Sequence, residues 1–188
     1  MRAGDALHGW RHERVSLAQA FHHAVRAEGE PLLCAYCDGE LRATSPETID
    51  HFIPESLARR LGLFELGLSW ANLYPACAEC NSTHKRDRWS VLLLRPDADP
   101  VQEYFAFDAL TGALYPSPEA PRLARARVRR TLRLLGLNTE VRCQARLRLF
   151  RQLQRAAARG DRETLEEMAQ GGPYRFIALW FARAMEEG

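Results

Sequence analysis

The spacing of apolar residues predicts helices towards both ends of the chain. Residues 15–28 carry apolar side chains at helical spacing, which predicts an N-terminal helix. Beyond residue 119, apolar residues again recur every three or four positions. Gly136 ends the first predicted helix there, residues 139–159 form the second, and Gly160 and the Gly-Gly-Pro run at 171–173 bound two shorter helices.

The middle of the chain has shorter apolar segments that predict strands. Residues 47–53 and 72–76 are predicted to form two short strands. A short helix is predicted over 55–61 between them, followed by a loop over 62–70. A further helix is predicted to begin at the second cysteine pair and to continue to about Arg86.

A second strand pair is predicted further along the chain. Residues 101–107 alternate between apolar and polar, and a Thr-Gly turn leads from them to a strand over 113–115. The prolines at 116, 118 and 121 mark a boundary after this hairpin. We therefore expect an α+β protein with three regions, which are an N-terminal helical segment at 1–30, a core at 31–118 and a basic helical region at 119–188.

The composition supports a buried core, and the positive charge is concentrated in one region. Of the 188 residues, 46% are hydrophobic, and the formal net charge is only +2. Between Arg122 and Arg159, however, twelve arginines accompany a single acid, Glu140. Two sets of these arginines repeat at helical spacing and so form basic stripes, one at 122, 125, 129 and 133 and the other at 148, 151, 155 and 159.

The basic stripes allow three interpretations: nucleic-acid binding, an interface with an acidic partner protein, and an ordinary solvated face. Guanidinium groups bind phosphates in a salt-dependent, sequence-independent way. No base-reading module is evident in the sequence, so we favour nucleic-acid binding without sequence specificity. The predicted contacts are Lys85, Arg86, Arg88, Arg129, Arg133, Arg151 and Arg155.

The sequence predicts a cytoplasmic protein that does not bind membranes. The N-terminal residues lack the apolar segment of a secretory signal, and apolar stretches such as 91–94 and 177–182 are too short to cross a bilayer. Because the cytosol keeps thiols reduced, Cys-x-x-Cys pairs in such a protein favour metal binding over disulfides.

Two Cys-x-x-Cys pairs, Cys34/Cys37 and Cys77/Cys80, predict a structural zinc site. Zn²⁺ prefers four tetrahedral ligands, and each pair can bring two thiolates to one ion. The pairs are separated by 39 residues, against roughly 15–20 in the usual four-cysteine sites. We therefore expect the site to clamp the ends of a large insertion. Cys143, the fifth cysteine, is predicted to be a small buried side chain.

The insertion carries residues suited to phosphodiester hydrolysis. Asp50 and His51 lie within it, Asn72 comes five residues before the second cysteine pair, and Asn81 follows that pair. The oxygens of Asp50 and Asn81 suit a hard divalent cation, which can grip a phosphate oxygen and the leaving oxygen. The His51 imidazole can activate water, and the Asn72 amide can fix the loop that aims the ring. Since neighbours on a regular strand point to opposite faces, Asp50 and His51 share one site only if the strand is irregular or is approached from its edge.

Asp50-His51, Asn72 and the Cys-Ala-Glu-Cys-Asn run at 77–81 resemble the signature of HNH endonucleases, the ββα-metal nucleases, in their zinc-supported form. The resemblance covers about residues 34–88 and implies a treble-clef-like core clamped by zinc. It also implies that His51 is the general base, that Asn72 is the central asparagine, and that Asp50 and Asn81 hold a catalytic Mg²⁺ or Mn²⁺ ion.

One position departs from the family pattern. The family often has lysine four residues after the last cysteine, where this chain has His84, with Lys85 next. The resemblance therefore leaves three roles open for His84, which are a second metal ligand, a phosphate contact and an ordinary helix residue. The first two would make it part of the catalytic site.

The flanking segments at 49–56, 107–116 and 132–146 are similar to a narrower group, the HNH proteins of Septu and retron-linked antiphage systems. Those proteins work beside an ATPase partner, so the similarity implies an antiviral effector nuclease with such a partner. DNA is the favoured substrate. Two alternatives stay open: the same chemistry on RNA, and a catalytically inactive zinc-bound module that binds nucleic acid or a partner protein.

Overall fold

The computed structural model describes residues 32–41 and 47–186. These residues fall into two compact units. The first unit holds the described residues up to Trp89 except 36–39, which belong with residues 90–186 to the second unit. Within the part of the chain that the structure describes, no helix is both long enough and apolar enough to cross a membrane.

The predicted α+β class is confirmed, because short sheets and helices make up the described residues. The helix predicted over 15–28 lies outside those residues. The compact units divide after residue 89, so the hairpin that we had placed in the core belongs with the C-terminal helices. The division of the sequence into regions 1–30, 31–118 and 119–188 stays a prediction.

The first unit contains a two-stranded antiparallel sheet. Strand β1 (Glu47–His51) pairs with β2 (Leu73–Cys77), and the register sets His51 opposite Leu73. Both predicted strands are confirmed with shifted bounds. β1 stops before Ile53 because the Ile53 N–H bonds to the Asn72 side chain instead of to a strand backbone.

The connection between β1 and β2 is folded into short helical segments. Helix α1 (Glu55–Arg60) follows Pro54 and has an acid in its first turn and two arginines in its last, which suits the helix dipole. The region predicted as a loop then contains two 3₁₀ turns, Phe64–Gly67 and Trp70–Asn72.

Helix α2 (Glu79–Lys85) starts directly after β2 and has π-helical winding. Because this winding places residues five apart on one face, Glu79 and His84 become neighbours. The helix ends at Arg86, whose φ of 52° lies in the left-handed region. The order β1, β2, α2 gives the ββα arrangement that the sequence predicts.

The second unit opens with a helical turn and a hairpin. Helix α3 (Val101–Tyr104) precedes β3 (Phe105–Phe107), which pairs antiparallel with β4 (Leu114–Pro116). The strand predicted over the whole of 101–107 is therefore wrong in its first half. Pro100 starts a helical turn there, and its carbonyl accepts a hydrogen bond from the Glu103 N–H at 3.0 Å.

Glycine is required in the turn between β3 and β4. Gly112 has a φ of 75°, and a Cβ added there would lie 2.2 Å from the carbonyl oxygen of Cys143. The hairpin therefore packs directly against the backbone of the helical region. Cys143 itself is partly exposed rather than buried as predicted, although its backbone lies against this turn.

Four helices complete the second unit, as predicted: α4 (Arg122–Leu134), α5 (Glu140–Ala158), α6 (Arg162–Gln170) and α7 (Arg175–Glu186). Asp161 caps α6 by accepting a hydrogen bond from the Thr164 N–H at 3.1 Å. The buried core of this unit is formed by Phe107, Leu147, Leu153, Ile177, Ala178 and Phe181.

Candidate active site and metal centre

The four cysteines of the two Cys-x-x-Cys pairs come together in one cluster. The sulfur atoms of Cys34, Cys37, Cys77 and Cys80 all lie within 4.8 Å of one another. Thiolates around a tetrahedral ion with Zn–S bonds of about 2.3 Å are spaced by roughly 3.8 Å, so the cluster fits such an ion. Cys77 ends β2, and the Cys80 N–H in α2 donates to its Sγ at 3.4 Å. These cysteines are therefore positioned for a metal site.

Asp50 is buried and forms an ion pair with Lys85. Asp50 is 3% exposed and Lys85 is 0% exposed. The Lys85 Nζ lies 2.9 Å from each of the two carboxylate oxygens and also donates to the His51 carbonyl at 2.7 Å. Burial lowers the pKa of the Lys85 ammonium, and the Asp50 charge opposes this shift. The prediction that Lys85 contacts nucleic acid is wrong, because its ammonium is enclosed.

His51 is partly exposed, and a backbone carbonyl orients its ring. The His51 Nε2 lies 3.0 Å from the carbonyl oxygen of Gly67. Since a carbonyl oxygen only accepts, Nε2 must donate, and a neutral ring then carries its lone pair on Nδ1. Gly67 is buried, so the group that orients the imidazole is part of the packed loop.

The Asn72 side chain fastens this loop to the end of β1. Its Oδ1 accepts from the Ile53 N–H at 2.8 Å, and its Nδ2 donates to the carbonyls of Ile53 at 3.1 Å and Leu66 at 3.0 Å. Asn72 is 3% exposed, so these bonds are shielded from water. Because Leu66 precedes Gly67, the Asn72 amide bonds to the same loop as the His51 ring, and its role in aiming the ring stays a prediction.

Asn81 joins α2 to β1. Its Nδ2 donates to the Thr48 hydroxyl at 3.0 Å and to the Ile49 carbonyl at 3.3 Å, next to Asp50. Neither bond uses the Asn81 amide oxygen, and its role as an ion ligand stays a prediction. A carboxylate and an amide oxygen are hard donors, and they fit Mg²⁺ or Mn²⁺, which bind few protein ligands and keep several waters.

His84 has a carboxylate neighbour that the sequence analysis did not include. Its Nε2 lies 3.0 Å from the Glu79 Oε1, and the His84 side chain is 25% exposed. The π-helical winding of α2 brings the two residues together. The three roles left open for His84 are unchanged by this contact, which adds Glu79 as a group that can orient the ring.

All the arginines that are predicted to contact nucleic acid are exposed. Arg86 and Arg88 lie after α2 in the first unit. Four more lie on the helices of the second unit, namely Arg129, Arg133, Arg151 and Arg155. Exposure is what a phosphate contact requires, and their role stays a prediction.

Two other arginines of the basic region have a structural role instead. Arg142 is 5% exposed and Arg146 is 2% exposed. Arg142 Nη1 donates at 2.7 Å to the carbonyls of Leu135 and Gly136. Arg146 donates at 2.8 Å to the carbonyls of Gly112 and Leu137. These bonds satisfy carbonyls at the C-terminal end of α4 and, through Gly112, in the β3–β4 turn, so neither guanidinium is available to a phosphate.

Sequence reasoning missed three partners of the predicted site residues, which are the Gly67 carbonyl beside His51, Glu79 beside His84 and Lys85 beside Asp50. The Gly67 carbonyl leaves no trace in a side-chain pattern, because any residue has a carbonyl. Glu79 became relevant only through the unusual winding of α2. Lys85 had one signal, since it is the only lysine among 26 basic residues.

Comparisons with known proteins agree with this geometry. The family model described as HNH endonuclease matches residues 34–87, from the first cysteine pair to just beyond α2. The Septu protein PtuB of Bacillus mycoides (strain KBAB4) is 29% identical over 100 residues, which cover 39% of this chain and 34% of that protein. The chain thus spans about a third of the length of the curated relative that it matches. The ββα order and the four-cysteine cluster lie within residues 34–87, the segment that matches the HNH endonuclease model.

Proposed function

We propose that this chain is a metal-dependent endonuclease that hydrolyses phosphodiester bonds of nucleic acid, with DNA as the favoured substrate. The observation that carries the proposal is the His51 ring, which bonds through Nε2 to a loop that Asn72 fastens. In that tautomer Nδ1 accepts a proton from the attacking water. His51 is thereby the general base, and Gly67 and Asn72 position it.

Asp50 and Asn81 supply the oxygen ligands of one Mg²⁺ or Mn²⁺ ion, with His84 as a further ligand or a phosphate contact. A divalent cation there supplies charge neutralisation at the phosphate and at the leaving oxygen. The cleavage leaves 5′-phosphate and 3′-hydroxyl ends, as the family resemblance implies. The Cys34, Cys37, Cys77 and Cys80 cluster holds structural Zn²⁺.

The exposed arginines give the enzyme affinity for the nucleic-acid backbone. Arg86 and Arg88 flank the candidate site, and the arginines of α4 and α5 extend the basic surface of the second unit. Such contacts bind phosphates without reading bases. The enzyme therefore cuts without strong sequence preference.

The likeness to the Septu protein PtuB supports a role in antiphage defence. We infer that the chain is the nuclease of such a system, acts in the cytoplasm and works with an ATPase partner. The HNH domain supports the nuclease activity independently of this role.

The experiment that tests the activity uses zinc-loaded protein with plasmid DNA and, separately, total RNA. With Mg²⁺ or Mn²⁺ the plasmid is expected to be nicked and linearised, and EDTA is expected to stop the reaction. Because EDTA also removes zinc, Zn²⁺ is added back alone as a control, and it should not restore cutting. Cleavage of RNA alone would mean that the substrate is RNA and not DNA. If neither is cleaved, the result would favour the catalytically inactive binding module.

A further inference from the structure

The Lys85 ammonium contacts Asp50 where a metal cation bound to this carboxylate would lie. Its side chain is fully buried, and its Nζ lies 2.9 Å from both carboxylate oxygens of Asp50. It is held there by a third bond, to the His51 carbonyl at 2.7 Å. The ammonium thus contacts both residues of the Asp-His pair, although it approaches His51 only through the backbone.

This arrangement changes the charge that an incoming ion meets. A buried carboxylate alone attracts a divalent cation strongly, because the surroundings screen the charge poorly. A carboxylate that already carries an ammonium on both oxygens forms a neutral pair and attracts the same ion much less. A metal ion that binds Asp50 must share or take over an oxygen that Lys85 already contacts.

We propose that Lys85 is an internal competitor of the catalytic divalent cation for Asp50. Its ammonium neutralises the carboxylate when no ion is bound and shifts when an ion binds, so that it keeps the metal affinity of the site low. Lys85 is therefore a positioning residue that tunes the metal site, and it does not contact the substrate. The identity of the ion rests on the proposed function. The metal-binding test does not depend on that function.

The first test measures metal binding without any substrate. Mn²⁺ affinity is measured by electron paramagnetic resonance on zinc-loaded wild type, Lys85→Met, Lys85→Arg and Asp50→Asn. Lys85→Met removes the competing charge, so we expect it to bind Mn²⁺ at least about tenfold more tightly. Lys85→Arg keeps the charge and should stay near wild type, whereas Asp50→Asn should bind weakly. Wild-type or weaker affinity in folded Lys85→Met would overturn the proposal, since a merely structural lysine predicts that result.

The second test uses the wild-type chain, in case Lys85→Met fails to fold. Because Lys85 is the only lysine of the sequence, tag-free protein labelled with [ε-¹³C]lysine gives one lysine signal by nuclear magnetic resonance. Titration with Mg²⁺ should move that signal, with the same midpoint as the metal dependence of cleavage. A signal that stays fixed while cleavage saturates would contradict the competition. Absence of cleavage in both wild type and His51→Ala would instead count against the proposed function, and the Mn²⁺ measurement would still decide the role of Lys85.

Discussion

The His51 imidazole is oriented by the Gly67 carbonyl, and the loop that carries this carbonyl is held by the Asn72 amide. A side-chain amide has two N–H donors and an acceptor oxygen, so it can bond to two backbone segments at once. A hydroxyl has only one donor and an ionised carboxylate has none, so neither can do this equally well. At the scale of single residues, the His51 loop is therefore fastened by an amide that is only 3% exposed.

Asn72→Ala is expected to reduce turnover by about a hundredfold, because a base displaced by about an ångström loses its alignment with the attacking water. Nucleic-acid affinity and zinc content should remain near wild type. The loss of buried hydrogen bonds should also lower the free energy of unfolding by about 1–3 kcal/mol. Single-turnover kinetics and denaturant unfolding measure the two effects.

The matched control is Asn138→Ala. The Asn138 amide likewise bonds to backbone, at the Leu114 N–H and carbonyl, but it does so in the second unit. It should therefore cost stability without the fall in turnover. An equal fall in both variants would show that turnover follows stability rather than the position of the ring.

At this scale the sequence indicates the candidate side chains, whereas their partners are visible only in the structure. Asp50, His51, Asn72 and Asn81 stand out because their order and the flanking cysteines are visible in the sequence. The Gly67 carbonyl and the buried position of Lys85 are not visible, since both depend on how a folded connection packs against β1.

At the scale of elements, Arg146 joins α5 to the C-terminal end of α4 and to the β3–β4 turn. Arg146→Leu would leave the Gly112 and Leu137 carbonyls without this donor in the interior. We expect it to lower the free energy of unfolding by about 3 kcal/mol, measured by urea denaturation. Arg148→Leu, on the exposed face of the same helix, should change the stability by only about 0.5 kcal/mol. Equal losses of stability in the two variants would contradict a structural role for Arg146.

The exposed arginines of α4 and α5 are tested as pairs. Arg129→Ala with Arg133→Ala, and Arg151→Ala with Arg155→Ala, should weaken binding to all nucleic-acid sequences alike. Each lost phosphate contact should flatten the log–log salt dependence of the binding constant by about 0.7–0.9. Arg183→Ala, an exposed arginine of α7, is the control. An unchanged slope combined with lost binding of a partner protein would assign these helices to the partner.

Helices and strands that were predicted from the regular spacing of apolar residues mostly agree with the structure. Helices α4 and α5 were predicted because their apolar residues recur at helical spacing, and their buried residues follow that spacing. The strand predicted over 101–107 was wrong in its first half because Pro100 and a local hydrogen bond outweighed the alternation. The arginines of α5 also could not be divided by sequence into surface and structural groups. Arg142 bonds to carbonyls just after α4, and Arg146 bonds to the Gly112 carbonyl, 34 residues away.

At the scale of the whole molecule, the four-cysteine cluster ties the start of the nuclease domain to the end of β2 and the start of α2. Cys77→Ser should open the metal shell. Since structural zinc contributes about 10 kcal/mol or more in comparable sites, we expect loss of zinc and of cooperative unfolding. Cys143→Ser, outside the cluster, should keep both. Soluble Cys77→Ser protein with wild-type zinc content and a cooperative melt would contradict a four-cysteine site.

The most direct measurement of the central claim is the cleavage rate of His51→Ala across a titration of Mg²⁺ and Mn²⁺, compared with wild type and Asp50→Ala. His51→Ala should lose about 10²–10⁴-fold in rate at every metal concentration, with zinc content, melting temperature and nucleic-acid affinity near wild type. Asp50→Ala should instead recover part of its rate as the metal concentration rises. If His51→Ala cuts as fast as wild type across the titration, His51 is not the base and the nuclease site has been misassigned.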